Sequence, residues 1–382
     1  MKVGIASAVL GVLFIVITLG DAFETIVFPR RVTRRVRLAR VFFRCTWRLW
    51  SASVRSLASG RRQETLLSFY GPFSLLILLA IWATGLVVGF ALLHFASGSA
   101  INVAGEPPGF YTDLYLSGTT FFTLGLGDVT PRTPLARVLT VFEAGVGFGF
   151  LALVIGFLPG LNQSFSRREV NISLLDSRAG SPSTAAEMFL RHRYDHGLEA
   201  LQQLFNEWER WSAELLESHL SYPVLAYFRS QHDNQSWLGA LTTVLDACAL
   251  AMVGVEGACA RQAELTFAMA RHALVDLSIV FGVSPKETGY DRLSVSDLVY
   301  LREKLTAAGL RLREGANADQ KLAELRRMYE PYVYSLGKYL CISIPPWITG
   351  SPLTDNWQTS PWQQDSDLRK TGRLGRPGDR HF

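Results

Sequence analysis

The chain has 382 residues, 48% of them hydrophobic and 19% charged, which is long enough for two or three domains. Its formal net charge of +5 comes from one basic segment near the N-terminus and does not indicate nucleic-acid binding. The four cysteines are scattered without CxxC spacing, which argues against a zinc site or a disulfide framework and fits a reducing compartment.

Three apolar runs are long enough to cross a bilayer, whose hydrocarbon core needs about 20 helical residues. They cover residues 3–19, 73–95 and 138–158, and the first continues as a mixed helix, so that residues 1–29 hold the first transmembrane helix. A cleaved signal peptide is the alternative for that run, but its basic part is only Lys2. The sequence therefore predicts an all-α membrane protein with three transmembrane helices.

Residues 30–70 are rich in arginine, with eleven arginines between positions 30 and 62. The positive-inside rule places this segment in the cytoplasm, so the N-terminus lies outside the cell membrane and the C-terminal part inside. Some arginines recur every third residue, as in a voltage sensor, but only one predicted span precedes them.

An amphipathic helix fits the arginine-rich segment better than a voltage sensor does. Val32, Val36, Phe43, Trp47 and Trp50 share one helical face, and the arginines lie on another. Such a helix is expected on the inner membrane surface, with its arginines bound to anionic lipid.

Residues 71–160 hold the second and third runs, and the stretch between those runs is the most informative part of the chain. Residues 111–122 are predicted to form a short helix. The loop at 110–131 then contains Thr123-Leu124-Gly125-Leu126-Gly127-Asp128, which should be non-helical. Non-helical backbone at membrane depth is tolerated only where protein buries it or where it lines a water-filled cavity. The loop therefore indicates a pore, with a simple reverse turn as the alternative.

This hexapeptide resembles the selectivity filter of potassium channels, usually written TVGYGD, and the flanking helix-loop-helix resembles their two-transmembrane pore domain. The resemblance implies a homotetramer that conducts K⁺, with K⁺ as the permeant ion and no cofactor. It implies a filter of the five residues Thr123, Leu124, Gly125, Leu126 and Gly127, with K⁺ at the backbone carbonyls of the first four. Glycine at positions 125 and 127 allows the backbone angles that aim successive carbonyls at the axis.

The resemblance also implies that Asp128 braces the filter through an aromatic donor on the short helix, for which Tyr115 is the candidate. Two positions depart from the family pattern: Leu126 stands where tyrosine is usual, and Phe122 where threonine is frequent. A weakly selective cation channel is therefore an alternative function.

Four residues of the third run stand out. Glu143 is costly in a membrane, and we expect it to brace the pore loop by accepting hydrogen bonds from its backbone. Three glycines in five residues need a reason, because each costs about 1 kcal/mol relative to alanine in a helix. They are Gly145, Gly147 and Gly149. A gating hinge centred on Gly147 and close helix packing are both open explanations.

The remainder of the chain reads as soluble protein. We expect a polar linker at 161–183, an all-α cytoplasmic domain at 184–350 and a disordered polar tail at 351–382. His192 and His196 are four residues apart in the first predicted helix of this domain and favour a surface pair over a metal site. No G-x-G-x-x-G follows a strand, and no catalytic motif stands out, so we predict a protein that is not an enzyme. A membrane-anchored helical receptor or enzyme with a vestigial pore loop is the remaining alternative.

Overall fold

The structure is a computed structural model that describes residues 2–28, 38–102, 109–255, 259–287, 289, 291–310, 312–313, 315–350 and 355–358. The arginines from position 30 to 37, the Val32 and Val36 part of the amphipathic pattern and most of the tail at 351–382 lie outside these residues. The chain divides into two compact units. The first unit comprises Met1–Ser56 and Phe69–Gln163, and the second comprises Leu57–Ser68 and Ser164–Phe382.

Within the described residues, three helices are long and apolar enough to span a membrane, as the sequence predicts. They are α1 (Lys2–Ala22), which ends in a π-helical turn at Phe23–Val27, α4 (Tyr70–Ala96) and α6 (Pro134–Ala179). Because the described part of the chain is otherwise almost entirely helical, the protein is an all-α membrane protein.

Small residues let α1 and α4 approach closely. A Cβ on Gly11 would lie 2.7 Å from the carbonyl oxygen of Gly89, and a Cβ on Gly89 would lie 2.7 Å from the Ile15 side chain. Packing of this kind associates helices in lipid, where burial of apolar surface contributes little.

The arginine-rich segment continues as α2 (Leu38–Leu57). Its Phe43 and Trp47 face packs against α4 rather than against lipid: the Trp47 and Tyr70 rings lie 4.8 Å apart, and the Tyr70 hydroxyl donates to the Phe43 carbonyl at 2.9 Å. Asp21 of α1 accepts hydrogen bonds from the Ala39 amide (3.1 Å) and from Trp82 Nε1 (2.9 Å). A single buried carboxylate thus joins α1, α2 and α4.

α6 is longer than the apolar run that predicts it. The segment 161–183, expected to be a polar linker, is helical through Ala179. Its Ile172 and Leu175 are buried, and the buried Arg168 donates to carbonyl oxygens in the 3₁₀ turn at Pro223–Tyr227 and just after it. The stretch is therefore an amphipathic helix whose apolar side belongs to the second unit.

The second unit also contains α3 (Arg61–Ser68), which is separated from α4 by Phe69 alone. Its remaining helices are α7 (Ala185–Arg191), α8 (Gly197–Ser221), α9 (Trp237–Val253), α10 (Ala260–Phe281), α11 (Val295–Ala307), α12 (Ala316–Arg327) and α13 (Glu330–Leu340), followed by a 3₁₀ turn at Asn356–Gln358. α9 lies at the centre, with every residue from Trp237 to Ala251 buried.

Buried charges in the second unit are paired. Asp246 of α9 accepts from Arg292 Nη2 at 2.6 Å and from the Tyr329 hydroxyl at 2.5 Å. Burial, together with the nearby Arg168, lowers the pKa of His219 to about 3, so this imidazole is neutral at physiological pH.

The predicted histidine pair is not on one helix. His192 ends α7 and is buried, whereas His196 precedes α8 with a φ of +64° and an exposed side chain. The interpretation as a surface pair is therefore wrong for His192. Gly197 allows the chain to fold back here, because a Cβ at this position would lie 1.9 Å from the His192 carbonyl oxygen.

Candidate ion pathway

The loop between α4 and α6 contains a short helix, α5 (Phe110–Phe121), which begins and ends one residue before the predicted bounds. Gly109 precedes it in extended conformation. Phe121 at its end is buried against Phe90 of α4 and Phe150 of α6. Two short strands, β1 (Ile101–Asn102) and β2 (Thr130–Pro131), pair antiparallel and close the loop.

The backbone after α5 alternates in handedness. φ is positive at Thr123 (+59°), Gly125 (+53°) and Gly127 (+81°), and Leu124 and Leu126 between them are not in this region. Alternation of this kind turns successive N–H groups to one side of the chain and the carbonyls to the other. A row of carbonyl oxygens on one side is the arrangement that replaces the hydration shell of a cation.

The end of α5 holds the N–H side of this segment. Leu124 N donates to the Thr119 carbonyl at 2.8 Å, Gly125 N to the same oxygen at 3.4 Å, and Thr123 N to the Thr120 carbonyl at 3.0 Å. The position of α5 therefore determines the position of the segment.

Sequence reasoning missed the left-handed conformation of Thr123. It assigned this freedom to the glycines alone, although a β-branched residue at positive φ stores roughly 1–3 kcal/mol of strain. The contacts with the end of α5 impose this conformation. The residue type, threonine, does not predict it.

Tyr115 and Asp128 meet as the resemblance implies. The Tyr115 hydroxyl donates to Asp128 Oδ2 at 2.8 Å, and Asp128 Oδ1 accepts from the Val129 amide at 3.1 Å. This hydrogen bond ties the loop beyond Gly127 back to the middle of α5.

Glu143 is fully buried and contacts α5, but not in the expected way. Its donor on α5 is the hydroxyl of Ser117 rather than a backbone amide, and His94 Nε2 of α4 lies 3.3 Å from its other oxygen. Neither Ser117 nor His94 was predicted to take part. His94, near the end of α4, is fully buried.

The three glycines of α6 are not equivalent. A Cβ on Gly147 would lie 2.2 Å from the carbonyl oxygen of Phe121, whereas one on Gly145 or Gly149 would have no heavy atom within 4 Å. Gly147 is thus the point where α6 touches the end of α5. The hinge remains a prediction for this run, which is continuous helix in the structure.

Two apolar helices that flank a short helix and a non-helical loop of alternating handedness have the arrangement of a pore-loop membrane domain. Residues 76–159 match the family model described as "Ion channel", which confirms the predicted resemblance to pore-loop channels. This family points to a channel rather than to an enzyme.

A curated relative is similar over a longer stretch. The "Uncharacterized membrane protein YdjJ" of Bacillus subtilis (strain 168) is 25% identical over 195 residues, which cover 50% of this chain and 55% of the relative. The chain thus spans about half the length of this relative. No solved structure matches the chain.

Proposed function

We propose that the chain forms a homotetrameric potassium channel. The observation that carries the proposal is the alternating backbone from Thr123 to Gly127, in which the N–H groups of Thr123, Leu124 and Gly125 donate to carbonyl oxygens at the end of α5. K⁺ binds to the carbonyl oxygens of Thr123, Leu124, Gly125 and Leu126, which together replace its hydration shell. Asp128, Tyr115 and Glu143 act as braces of this filter.

The single pore loop supports four-fold assembly. One chain supplies one row of carbonyls, and a ring around an ion needs several rows related by rotation. The side chains of Phe122, Leu124 and Leu126 are each more than half exposed in the single chain. Large apolar side chains at such positions support contacts with neighbouring subunits.

Weak selectivity among cations is the second candidate function. Leu126 cannot donate the hydrogen bond that a tyrosine would offer behind the filter, and the described side-chain brace of this loop is Tyr115 to Asp128. With fewer hydrogen bonds behind the filter, the spacing between the carbonyl oxygens is less rigid. Discrimination between ions changes about tenfold for each 1.4 kcal/mol of difference in their binding free energy.

Purified protein in liposomes should conduct K⁺. We expect flux down a K⁺ gradient, and a reversal potential under opposed K⁺ and Na⁺ gradients that lies nearer the K⁺ equilibrium value. The Gly125→Asp variant, which places a carboxylate in the carbonyl ring, is the non-conducting control. A reversal potential near zero would favour the weakly selective channel, and absence of cation flux from assembled protein would contradict the function itself.

We also propose that the N-terminus lies outside the cell membrane and that α2, α3 and the second unit are cytoplasmic, as the arginine distribution indicates. Anionic lipid binds the basic side of α2, where Arg44 and Arg48 adjoin the exposed side chains of Val41 and Leu49. An apolar strip beside a basic ridge suits a helix at a lipid surface.

Cysteine labelling tests this orientation. In a variant with the four native cysteines replaced, Asn102→Cys should react with a membrane-impermeant maleimide on intact cells, and Ser59→Cys should react only after lysis. Both positions are exposed in the structure, so they are matched controls for reactivity. Labelling of Ser59→Cys from outside would overturn the orientation.

We also propose that the second unit regulates the pore, and the chain's connections support this. α6 runs without interruption from the pore domain into the second unit, and α3 leads directly into α4. Within the second unit, α3 is paired with the loop after the 3₁₀ turn: Glu64 lies 3.8 Å from Arg229, and Arg61 lies 3.5 Å from Asp233. A shift of that loop would be transmitted to the start of α4.

A further inference from the structure

A cavity of about 680 Å³ lies within the second unit. It is bounded by α3, the end of α6, the start of α9 and the loops at 229–236 and 342–346. Its size is in the range of small-molecule sites, which combine an apolar lining with a few polar groups. The described residues that line it all belong to the second unit, and the ion pathway uses none of them. The cavity is therefore a candidate for a separate binding site.

Part of the lining is aliphatic. α6 contributes Ile172 and Leu175, and the loop after α13 contributes Ile342; each of these side chains is at most 8% exposed. Among the described residues that line the cavity there is no phenylalanine, tyrosine or tryptophan on which a flat ring could stack. This surface suits an alkyl group better than a nucleobase.

Three polar side chains of the lining retain unused hydrogen-bonding capacity. Glu64 on α3 is 29% exposed and makes no hydrogen bond within the described part of the chain, since Arg229 Nε lies 3.8 Å from its Oε2. Arg229 donates to the carbonyl oxygens of Leu340 and Cys341 through Nη2, which leaves Nε and Nη1. Ser230 Oγ is buried without a hydrogen-bond partner among the described residues.

The other two carboxyl groups of the lining already have partners. Asp176 accepts from the Ser181 hydroxyl, and Asp233 lies 3.5 Å from Arg61. The unused capacity is therefore an acceptor of negative charge on Glu64, close to donors of positive charge on the neighbouring guanidinium. Hydrogen bonds in which one partner is ionised are the strong ones, so a ligand that carries both charges fits this pair.

We propose that the cavity binds a small zwitterion, an α-amino acid with an aliphatic side chain, and that its binding changes K⁺ conduction. The ammonium group of the ligand donates to Glu64, and its carboxylate accepts from Arg229 and Ser230. Its alkyl group lies against the aliphatic part of the lining. The effect on conduction, though not the binding itself, rests on the proposed function.

The cavity touches both helices that join the second unit to the pore domain. Glu64 lies on α3, which is separated from α4 by Phe69 alone, and Ile172 and Leu175 lie on α6, which is continuous with the pore domain. A ligand held by α3 at one end and by α6 at the other binds best to one arrangement of these helices. Such a difference in affinity shifts the equilibrium between conformations.

Calorimetry on the purified full-length chain tests the binding, with L-leucine as the probe. We expect saturable binding of one leucine per chain. Two analogues keep the alkyl group and lose one charge: 4-methylpentanoate lacks the ammonium group, and 3-methylbutylamine lacks the carboxylate. Each should bind at least about tenfold more weakly, because a hydrogen bond to a charged group is lost. Absence of leucine binding, or equal binding of either analogue, would overturn the site.

Glu64→Gln separates recognition of charge from a structural role. It should weaken leucine binding at least about tenfold and leave binding of 4-methylpentanoate within about twofold, because that analogue has no ammonium group. Glu199→Gln is the matched control and should bind leucine as the wild type does, since Glu199 is 80% exposed on α8 and does not line the cavity. An equal loss for both ligands in Glu64→Gln would contradict the assigned role. The analogue series needs no variant, so it decides the site even if Glu64→Gln does not fold.

Planar bilayers test the effect on the pore. Leucine added on the side of the second unit should change wild-type K⁺ current about fivefold or more, and Glu64→Gln should lose this response. Leucine binding without a change of current in a conducting channel would overturn the link to the pore. Protein that binds leucine but conducts no K⁺, with or without it, would contradict the proposed channel function and leave the binding site standing.

Discussion

Replacing Gly147 by alanine should abolish or strongly reduce K⁺ flux. The added Cβ would lie 2.2 Å from the Phe121 carbonyl oxygen and 3.0 Å from its carbonyl carbon and Cα. All three are backbone atoms, so no side-chain rotation relieves the clash, and α5 or α6 must move. Overpacking costs about 1–3 kcal/mol at each site, and a tetramer has four such sites. Because the filter amides are bonded to Thr119 and Thr120, the displacement reaches the filter.

The neighbouring glycines make matched controls. Gly145→Ala and Gly149→Ala add the same methyl group to the same helix, where nothing lies within 4 Å, and each should stabilise α6 by about 1 kcal/mol. Both should assemble and conduct in the liposome assay, with assembly checked by size-exclusion chromatography. Wild-type flux in Gly147→Ala would show that the close approach is not required. If Gly149→Ala changed channel opening while Gly147→Ala kept normal flux, a hinge would be favoured over helix packing.

How far the sequence predicts this fold depends on whether a signal is local. The three spans are predicted by the apolar runs, and α5 by the short interval between the second and third runs. Both features can be read directly from the sequence. The Tyr115 to Asp128 hydrogen bond was predicted from the resemblance, because both residues lie in one loop at a spacing that the family shares. Contacts of this kind need no knowledge of how distant helices pack.

Contacts between distant elements could not be predicted in the same way. Glu143 stood out because a carboxyl group in an apolar run needs partners, but nothing in the sequence identified them. Ser117 and His94 lie 26 and 49 residues away, and serine and histidine have ordinary positions in many helices. The partners could have been sought among the side chains of α4 and α5 that are able to donate a hydrogen bond to a buried carboxyl group.

The position of the C-terminal end of α6 was also not predictable from the sequence. Polar composition predicted a linker at 161–183, but a polar stretch with a few apolar side chains at helical spacing is also an amphipathic helix. Ile172 and Leu175 are three apart and both buried in the second unit, which stabilises helix through Ala179. Tertiary packing thus decides where α6 ends.

Mixing wild-type subunits with Gly125→Asp subunits should suppress current far more than in proportion. Gly125 has a φ of +53°, which L-residues rarely adopt, and in the proposed tetramer an aspartate there would add a carboxylate to a ring that the four subunits share. If one altered subunit is enough to stop conduction, only tetramers of four wild-type subunits conduct. With equal expression of both forms, these are about one sixteenth of the total.

The residual current counts the subunits around the pore. About one half would mean that each chain conducts alone, about one quarter a dimer, and about one sixteenth a tetramer, for random mixing of equal amounts. Gly98→Asp is the matched control: Gly98 has a φ of +86° and open space around its Cβ, but it lies in the turn after α4, outside the filter. It should reduce current little. Co-purification of differently tagged forms confirms mixing, and a proportional decrease in current despite mixing would contradict a shared pore.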